Sequence, residues 1–293
     1  VQPMCGLEFE WFNFRETPHS WAAKKGVDPT PLTPGMFGYS VLRAGENREY
    51  FNALLDELLA FGVPIEGLHT ETGPGVYEAA IQFSEALEAA DRALLFKAGA
   101  KEIGARFGIM PSFMAKWSQQ YPGCSGHVHQ SLWSKDGAPL FLDKADALGM
   151  STLMRQYLAG LLVHAREITW FLAPYINSYK RFCVGMFAPT KAVWSTDNRT
   201  AGYRVCGADT KGIRVECRVG GADLNPYLAL AALLAAGLDG IERKLELEPE
   251  LSGDMYQRAG IREIPKSLRA AAEALTGSAM LRAAFGDAVI DHY

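Results

Sequence analysis

Two stretches decide the fold: Gly6-Leu7-Glu8-Phe9-Glu10-Trp11-Phe12 and Gly126-His127-Val128-His129-Gln130-Ser131-Leu132-Trp133. Each alternates two unlike sets of side chains, and a period of two is the signature of a strand with one buried face. Alternate residues of a strand share a side, so Glu8 and Glu10 lie on one face, and His127, His129 and Ser131 lie on one face. Arg214-Val215-Glu216-Cys217-Arg218 repeats the pattern within a strand reading of 213–219, and a shorter strand is read at 203–205, joined to it through Gly207-Ala208-Asp209.

Outward from these strands the chain alternates helices and extended pieces without a regular βαβ rhythm. Residues 16–38 hold Pro18, Pro29, Pro31, Pro34, Gly26 and Gly35 and read as one long irregular loop; such loops are uncommon unless they serve a function. A helix is expected from Asn47 to Phe61, ended by Gly62, with Leu54, Leu55, Leu58 and Leu59 inward. Two extended pieces within 69–83 flank Gly73-Pro74-Gly75, and a long helix follows to about Phe107 with Leu87, Ala90, Leu94 and Ala98 as its inward stripe. Residues 151–172 read as one amphipathic helix. Asn225-Pro226 starts another, because Asn caps and Pro suits the first turn, and an Ala/Leu-rich helical stretch follows Pro265. Together these give an α+β class with a largely antiparallel sheet.

Composition bounds the function. The chain has 293 residues, 48% hydrophobic and 21% charged, with net charge −4, as in an ordinary folded protein, of one large or two smaller domains. No basic excess announces nucleic acid, and the longest apolar run, 227–238, is too short to cross a bilayer. The five cysteines are odd in number and lack a CxxC pair, which points to a reducing, cytoplasmic setting rather than a disulfide or zinc framework.

The chemistry-bearing residues are acids, one histidine and arginines. Glu8 and Glu10 sit among aromatic residues, and a buried carboxylate needs a cation or several donors. Glu71 and Glu78 bracket the Gly-Pro-Gly turn. With His127 and Glu216 these side chains have the chemistry for divalent metal, and an oxygen-rich set favours Mg²⁺ or Mn²⁺ over zinc. Arg181, Arg199, Arg204, Arg214 and Arg218 fall within 38 positions, and guanidinium groups suit carboxylate and phosphate. Bound metal beside clustered arginine is the layout of phosphoryl transfer. A solvated polar face and a salt-bridged arginine set produce the same spacing. There is no P-loop, GxGxxG, HExxH or GxSxG; His19, His164 and His292 stand alone and read as surface or core residues.

Taken together, these motifs resemble the glutamine synthetase family. The resemblance rests on the Glu8–Glu10 strand, on Gly123-Cys124-Ser125-Gly126-His127-Val128-His129 with Ser131-Leu132, and on Asn177-Ser178-Tyr179-Lys180-Arg181. Asp197-Asn198-Arg199, Arg214-Val215-Glu216-Cys217-Arg218, Asn225-Pro226-Tyr227-Leu228 and Ala236-Gly237-Leu238-Asp239-Gly240-Ile241 continue it in the family's order.

The resemblance implies a curved antiparallel sheet flanked by helices. It implies a ligase that joins the γ-carboxylate of glutamate to an amine through γ-glutamyl phosphate, using ATP and two Mg²⁺ or Mn²⁺ ions, in a ring-shaped homo-oligomer. By position, Glu10, Glu71 and Glu78 would hold the first ion, and Glu8, His127 and Glu216 the second. Arg181, with Gly123, would serve the α-carboxylate of glutamate. Arg199, Arg218 and Glu71 would act on the reacting groups, and Ser131, Arg204 and Arg214 on the nucleotide. The family carries a small β-rich domain ahead of the first glutamate strand and continues past the last helix read here. Residues 1–293 are therefore expected to be the catalytic domain of a longer protein, with an exposed strand edge near Glu8. Ammonia-using members carry a glutamate on the flap where this chain has Phe187, and the family usually carries an asparagine that contacts the amino acid where it has Pro122, which lacks a side-chain donor. Phe187, with His69-Thr70-Glu71-Thr72-Gly73-Pro74-Gly75, brings the chain nearer the γ-glutamyl-amine branch, which includes glutamate–putrescine ligase. The alternatives are glutamine synthesis itself and a non-catalytic structural member of the superfamily.

Overall fold

A computed structural model describes residues 1–183 and 185–293. Its organising element is β1 (Gln2–Phe14), a 13-residue strand. Leu7, Phe9 and Trp11 on one side of β1 are at most 1% exposed, while Glu8 and Glu10 face the other way and are only partly covered. After β1 come three helices, α1 (Pro18–Ala23), α2 (Val41–Glu46) and α3 (Arg48–Ala60). Then come the hairpin β2 (Ile65–Thr70) and β3 (Val76–Ile81), the short β4 (Ser84–Glu85), the long α4 (Ala86–Arg106), β5 (Met110–Ser112) and β6 (Gly126–Trp133). The second half contains α5 (Thr152–Val163), α6 (Ala165–Leu172), α7 (Ile176–Tyr179), β7 (Trp194–Thr196), β8 (Tyr203–Cys206), β9 (Arg214–Cys217), α8 (Pro226–Glu242), α9 (Leu268–Thr276), α10 (Ala279–Phe285) and α11 (Asp287–His292).

The strands form one sheet in the order β2-β3-β1-β6-β9-β8-β7, with β4 and β5 paired to the two ends of β1. Among the described strands, β7 and β8 pair in parallel and the other pairs are antiparallel. The class is therefore the α+β one expected, a largely antiparallel sheet flanked by helices. The strand edge expected near Glu8 is not there: Glu8 pairs with Ala80 on one side and His127 on the other.

Five local expectations change. The loop of 16–38 contains α1, started by a capping box in which Thr17 and Ser20 satisfy each other's backbone N–H groups; reciprocal capping makes even a short helix viable. On α4 the inward stripe is Ala86, Ala89, Ala90, Ala93, Phe96, Ala100 and Ile103, while Leu87 and Leu94 are 62% and 49% exposed and Ala98 is exposed too. The reason is volume. Phe9 and Trp11 already fill the space below, with ring centroids 6.1 and 5.4 Å from Phe96, so the helix supplies methyl groups rather than leucines. On α3, similarly, Tyr50, Leu54 and Leu58 are buried and Leu59 is exposed. The helix of 151–172 is two helices, broken at His164, and the C-terminal stretch is three, separated around Gly277-Ser278 and at Gly286. α5 and α8 meet where Gly160 and Gly240 face one another: a Cβ on Gly160 would fall 2.1 Å from the Ala236 carbonyl oxygen.

Candidate active site

Antiparallel register places the functional side chains. His69 of β2 stands opposite Glu78 of β3, which stands opposite Glu10 of β1. One pleat along, Glu8 stands opposite His127 of β6. Beyond it, His129 pairs with Glu216 of β9, which pairs with Arg204 of β8. Directly paired residues point to the same side of a sheet, so all of these side chains share one face.

That face forms the floor of a cavity of about 570 Å³. Glu8, Glu10, Glu71, Glu78, His127 and Glu216 all line it. Arg199, Arg204, Arg218 and Phe187, from the sheet's far side and the flap, complete the wall. One ligand atom each from Glu8, His127 and Glu216 lie within 4.8 Å of one another, the set expected for the second ion. The second cluster is His69, Glu71 and Glu78; Glu10, expected beside Glu71 and Glu78, lines the same cavity, and its Oε2 accepts the Ser125 N–H at 2.6 Å.

Electrostatics show what the floor lacks. Burial, then the charges of Glu10, Glu8 and Glu71, push the Glu78 carboxyl up to about 10, and the Arg218 guanidinium offsets this only in part. Burial opposes charge on Glu8 as well, but hydrogen bonding to His127 and His129 wins and holds it well below the usual carboxylate range. Glu216 is likewise penalised by burial, and the charges of His127 and Arg218 bring it down to about 2. His127 directs Nδ1 toward Glu8, 3.3 Å away, and its buried Nε2 has no hydrogen-bond partner among the described residues. Crowded carboxylates, an orphaned imidazole nitrogen and oxygen-rich donors suit two divalent ions of the Mg²⁺ or Mn²⁺ kind.

The arginines differ in freedom. Arg218 is fixed: it pairs with Glu216 and donates from Nε to the Arg199 carbonyl at 3.1 Å. Arg204 bridges Glu216 at 3.1 Å and Asp197 at 3.2 Å. Arg199 is exposed on the wall. A second, smaller cavity of about 250 Å³ adjoins the first and is lined by Ser131 and Arg214, both expected on the nucleotide side, with His129 and Lys211. Arg214 donates from Nε to His129 Nδ1 at 3.0 Å, and His129 Nε2 lies 3.1 Å from Glu8. Glu8 and Ala80 line both cavities.

Arg181 and Gly123 line neither of these cavities. Arg181 is 1% exposed beneath the floor, donating to Ser125 Oγ at 3.1 Å and to the carbonyls of Val219 and Gly220. Gly123 packs on its aliphatic stem, since a Cβ there would lie 2.7 Å from Arg181 Cγ. Several wall residues escaped the sequence reading as site residues, His69, Tyr39 and Tyr256 among them. His69 carries a visible signal, standing two residues before Glu71. Tyr39 carries none, as it lies in the aperiodic segment after β1. Phe187 and Tyr39 both have positive φ, 58° and 54°, and large side chains rarely adopt this region except where the structure imposes it.

Comparison with known proteins agrees with this geometry. Residues 1–293 match the family described as glutamine synthetase, catalytic domain. The chain is 48% identical to type-1 glutamine synthetase 2 of Dictyostelium discoideum, over 99% of this chain and 56% of that protein. It is 43% identical to gamma-glutamylethanolamide synthetase GlnA4 of Streptomyces coelicolor, over 98% of this chain and 61% of that protein. It is 35% identical to glutamate–isopropylamine ligase of a Pseudomonas species, over 99% and 63%. The chain thus spans about three-fifths of the length of these relatives. A solved structure of ligand-free GmaS superposes with a TM-score of 0.87 at 28% identity, covering 99% of this chain and 67% of that one.

Proposed function

We infer the activity from one premise: the chain belongs to the glutamine synthetase family. We propose that the parent protein is an ATP-dependent ligase that joins the γ-carboxylate of glutamate to an organic amine. The observation that carries the ligase reading is the pair of ligand clusters on one sheet face, walled by Arg199, Arg204 and Arg218. Phe187, on the wall beside Glu71 and Glu78 and 57% exposed, supports the organic amine. An apolar ring cannot attract ammonium as a carboxylate would, but it packs against a carbon chain and offers its face to a cation.

In this reading the γ-carboxylate attacks the γ-phosphoryl group of ATP, giving γ-glutamyl phosphate and ADP, and the amine displaces phosphate. Bound Mg²⁺ or Mn²⁺ would neutralise phosphate charge. Arg199, free to move, and Arg218, held by Glu216, stabilise the negative charge that develops on the transferring group, which is the main catalytic need of such a step. Glu71 draws in the cationic amine and takes its proton. Ser131, Arg204 and Arg214 serve the nucleotide from the adjoining cavity and its border. Capture of the α-carboxylate by Arg181 requires its guanidinium to leave the Val219 and Gly220 carbonyls. The same premise supports a ring-shaped oligomer in the cytoplasm; no described helix is long and apolar enough to cross a membrane.

The 48% identity to a protein named glutamine synthetase favours ammonium as the second reading. The test is ADP release from the full-length protein with glutamate, ATP and a panel of ammonium, monoamines and polyamines. An organic amine giving the highest kcat/KM upholds the proposal, and ammonium giving the highest replaces it with glutamine synthesis.

A further inference from the structure

We propose that Asp223 is a positioning residue for glutamate: through Ser178 and the turn at Gly220-Gly221 it fixes where Arg181 stands. The inference rests on the reading of Arg181 as the group that captures the α-carboxylate.

The need is visible at Arg181 itself. Among the described residues its guanidinium bonds neutral groups, Ser125 Oγ and the carbonyls of Val219 and Gly220. Its Nε is buried without a hydrogen-bond partner. Burial weighs against its charge, and the carboxylates of Glu10 and Asp223 offset this in part. The guanidinium has to leave the two carbonyls when a carboxylate arrives, so its placement depends on the backbone at its root.

That backbone has little support of its own. Arg181 follows α7, a helix of four residues, and so short a helix is not stable alone. Two side chains of α7 tie it down. Asn177 brackets the Lys116 backbone, accepting its N–H at 3.0 Å and donating to its carbonyl at 2.8 Å. Ser178, 1% exposed, donates from Oγ to Asp223 Oδ2 at 2.6 Å, and the same Oγ accepts the Tyr175 N–H at 3.0 Å. The Ser178 carbonyl in turn accepts the Arg181 N–H at 3.2 Å.

The other oxygen of Asp223 lies over the opposite wall. A Cβ on Gly221 would fall 2.5 Å from Asp223 Oδ1. Glycine there lets the carboxylate fold back over the turn whose carbonyls receive Arg181. That turn is itself anchored, by the Gly221 N–H on the Leu172 carbonyl at 3.1 Å and the Ala222 N–H on the Cys124 carbonyl at 3.0 Å. One carboxylate therefore joins the segment that carries the guanidinium to the segment that holds it. A hydrogen bond to a charged acceptor is a strong one, and a misplacement of about 1 Å in a substrate-orienting group is costly. Asp223 lines neither cavity of the acidic floor, so its influence falls on glutamate and not on nucleotide or amine.

The test is steady-state kinetics of the full-length protein, with glutamate, ATP and the best amine varied in turn. The variants are Asp223→Ala, Asp223→Asn, Ser178→Ala and the double variant Ser178→Ala with Asp223→Ala. Asp223→Ala and Ser178→Ala are each expected to raise the KM for glutamate about tenfold, with kcat and the KM for ATP within about twofold of the parent. Asp223→Asn keeps an acceptor for Ser178 and is expected to recover most of the loss. The double variant is expected to match the single ones, because both remove the same link. A residue that acts on folding alone lowers the active fraction, and so kcat, without moving KM. An unchanged glutamate KM in Asp223→Ala, an equal rise in the KM for ATP, no recovery in Asp223→Asn, or additive effects in the double variant each overturn the inference. Arg181→Lys separates the premise. An unchanged glutamate KM there removes the α-carboxylate reading and this inference with it. A raised one beside an unchanged Asp223→Ala removes this inference alone.

Discussion

The imidazole of His164 lies 2.7 Å from the Asp239 carboxylate and 3.1 Å from that of Glu167, tying the junction of α5 and α6 to α8. Ser278, at the start of α10, bonds the same Glu167 carboxylate. A residue that stands alone in sequence is thus a knot of helices. Burial disfavours the charged ring, but hydrogen bonds to Glu167 and Asp239 prevail and raise His164 above its ordinary value. Burial also opposes charge on Glu167, and hydrogen bonds from His164 and Ser278 prevail and lower it.

The pH dependence follows from these signs. A raised histidine stabilises fully below its unfolded value of about 6.5, and the effect is lost as pH rises through the folded one. A lowered glutamate stabilises above its unfolded value of about 4.3 and loses the effect as pH falls. His164→Gln is therefore expected to cost the most, about 2 kcal/mol, between about pH 4.5 and 6.5. Denaturant midpoints of parent and variant across pH 4 to 9 check this. A gap that stays constant toward pH 9 would assign the residue to packing rather than charge.

Metal should reverse the sign of one substitution. In the metal-free protein Glu78 is crowded by Glu8, Glu10 and Glu71, so Glu78→Gln is expected to raise the melting temperature, by on the order of 1 kcal/mol in stability. With Mg²⁺ or Mn²⁺ at about 100 times its Kd, the parent gains about 2.7 kcal/mol from each site that only the folded state presents. The variant gains less. Thermal melts with and without metal should therefore cross, the variant leading without metal and the parent with it.

Phe187→Glu should retune the amine. A carboxylate on the flap attracts ammonium, while an amine with a carbon chain loses apolar contact. Losing about 60 Å² of such contact at about 25 cal/mol per Å² costs about 1.5 kcal/mol, or about tenfold. The readout is the ratio of kcat/KM for ammonium to that for the best organic amine. A ratio that does not rise in the variant, or a parent that already prefers ammonium, sinks the organic-amine reading.

The meeting of α5 and α8 should tolerate no side chain. Gly160→Ala places a methyl against the Ala236 carbonyl and beside Gly240, and overpacking of this kind costs about 1–3 kcal/mol. A drop in denaturant midpoint with unchanged metal binding at the sheet would locate the damage between the helices.

The acidic floor was legible because strand period fixes sides. Glu8 with Glu10, His127 with His129, and Glu216 with Arg214 and Arg218 could each be placed on one face of their own strand from residues alone, and register joined those faces. What stayed hidden depends on partners far along the chain. The alanine face of α4 follows from how much room Phe9 and Trp11 leave, which no helical wheel shows. Asp239 is 75 residues from His164. Arg181, expected from the resemblance to meet a carboxylate, is buried under carbonyls of Val219 and Gly220. Tyr39 sits where there is no period to read.

Glu8 and Ala80 stand side by side in register and belong to both cavities, so the two chambers share a partition only two residues wide. In the proposed reading, guests of the two chambers would be neighbours across Glu8 and Ala80. A bulkier side chain at position 80 would therefore intrude on both chambers at once.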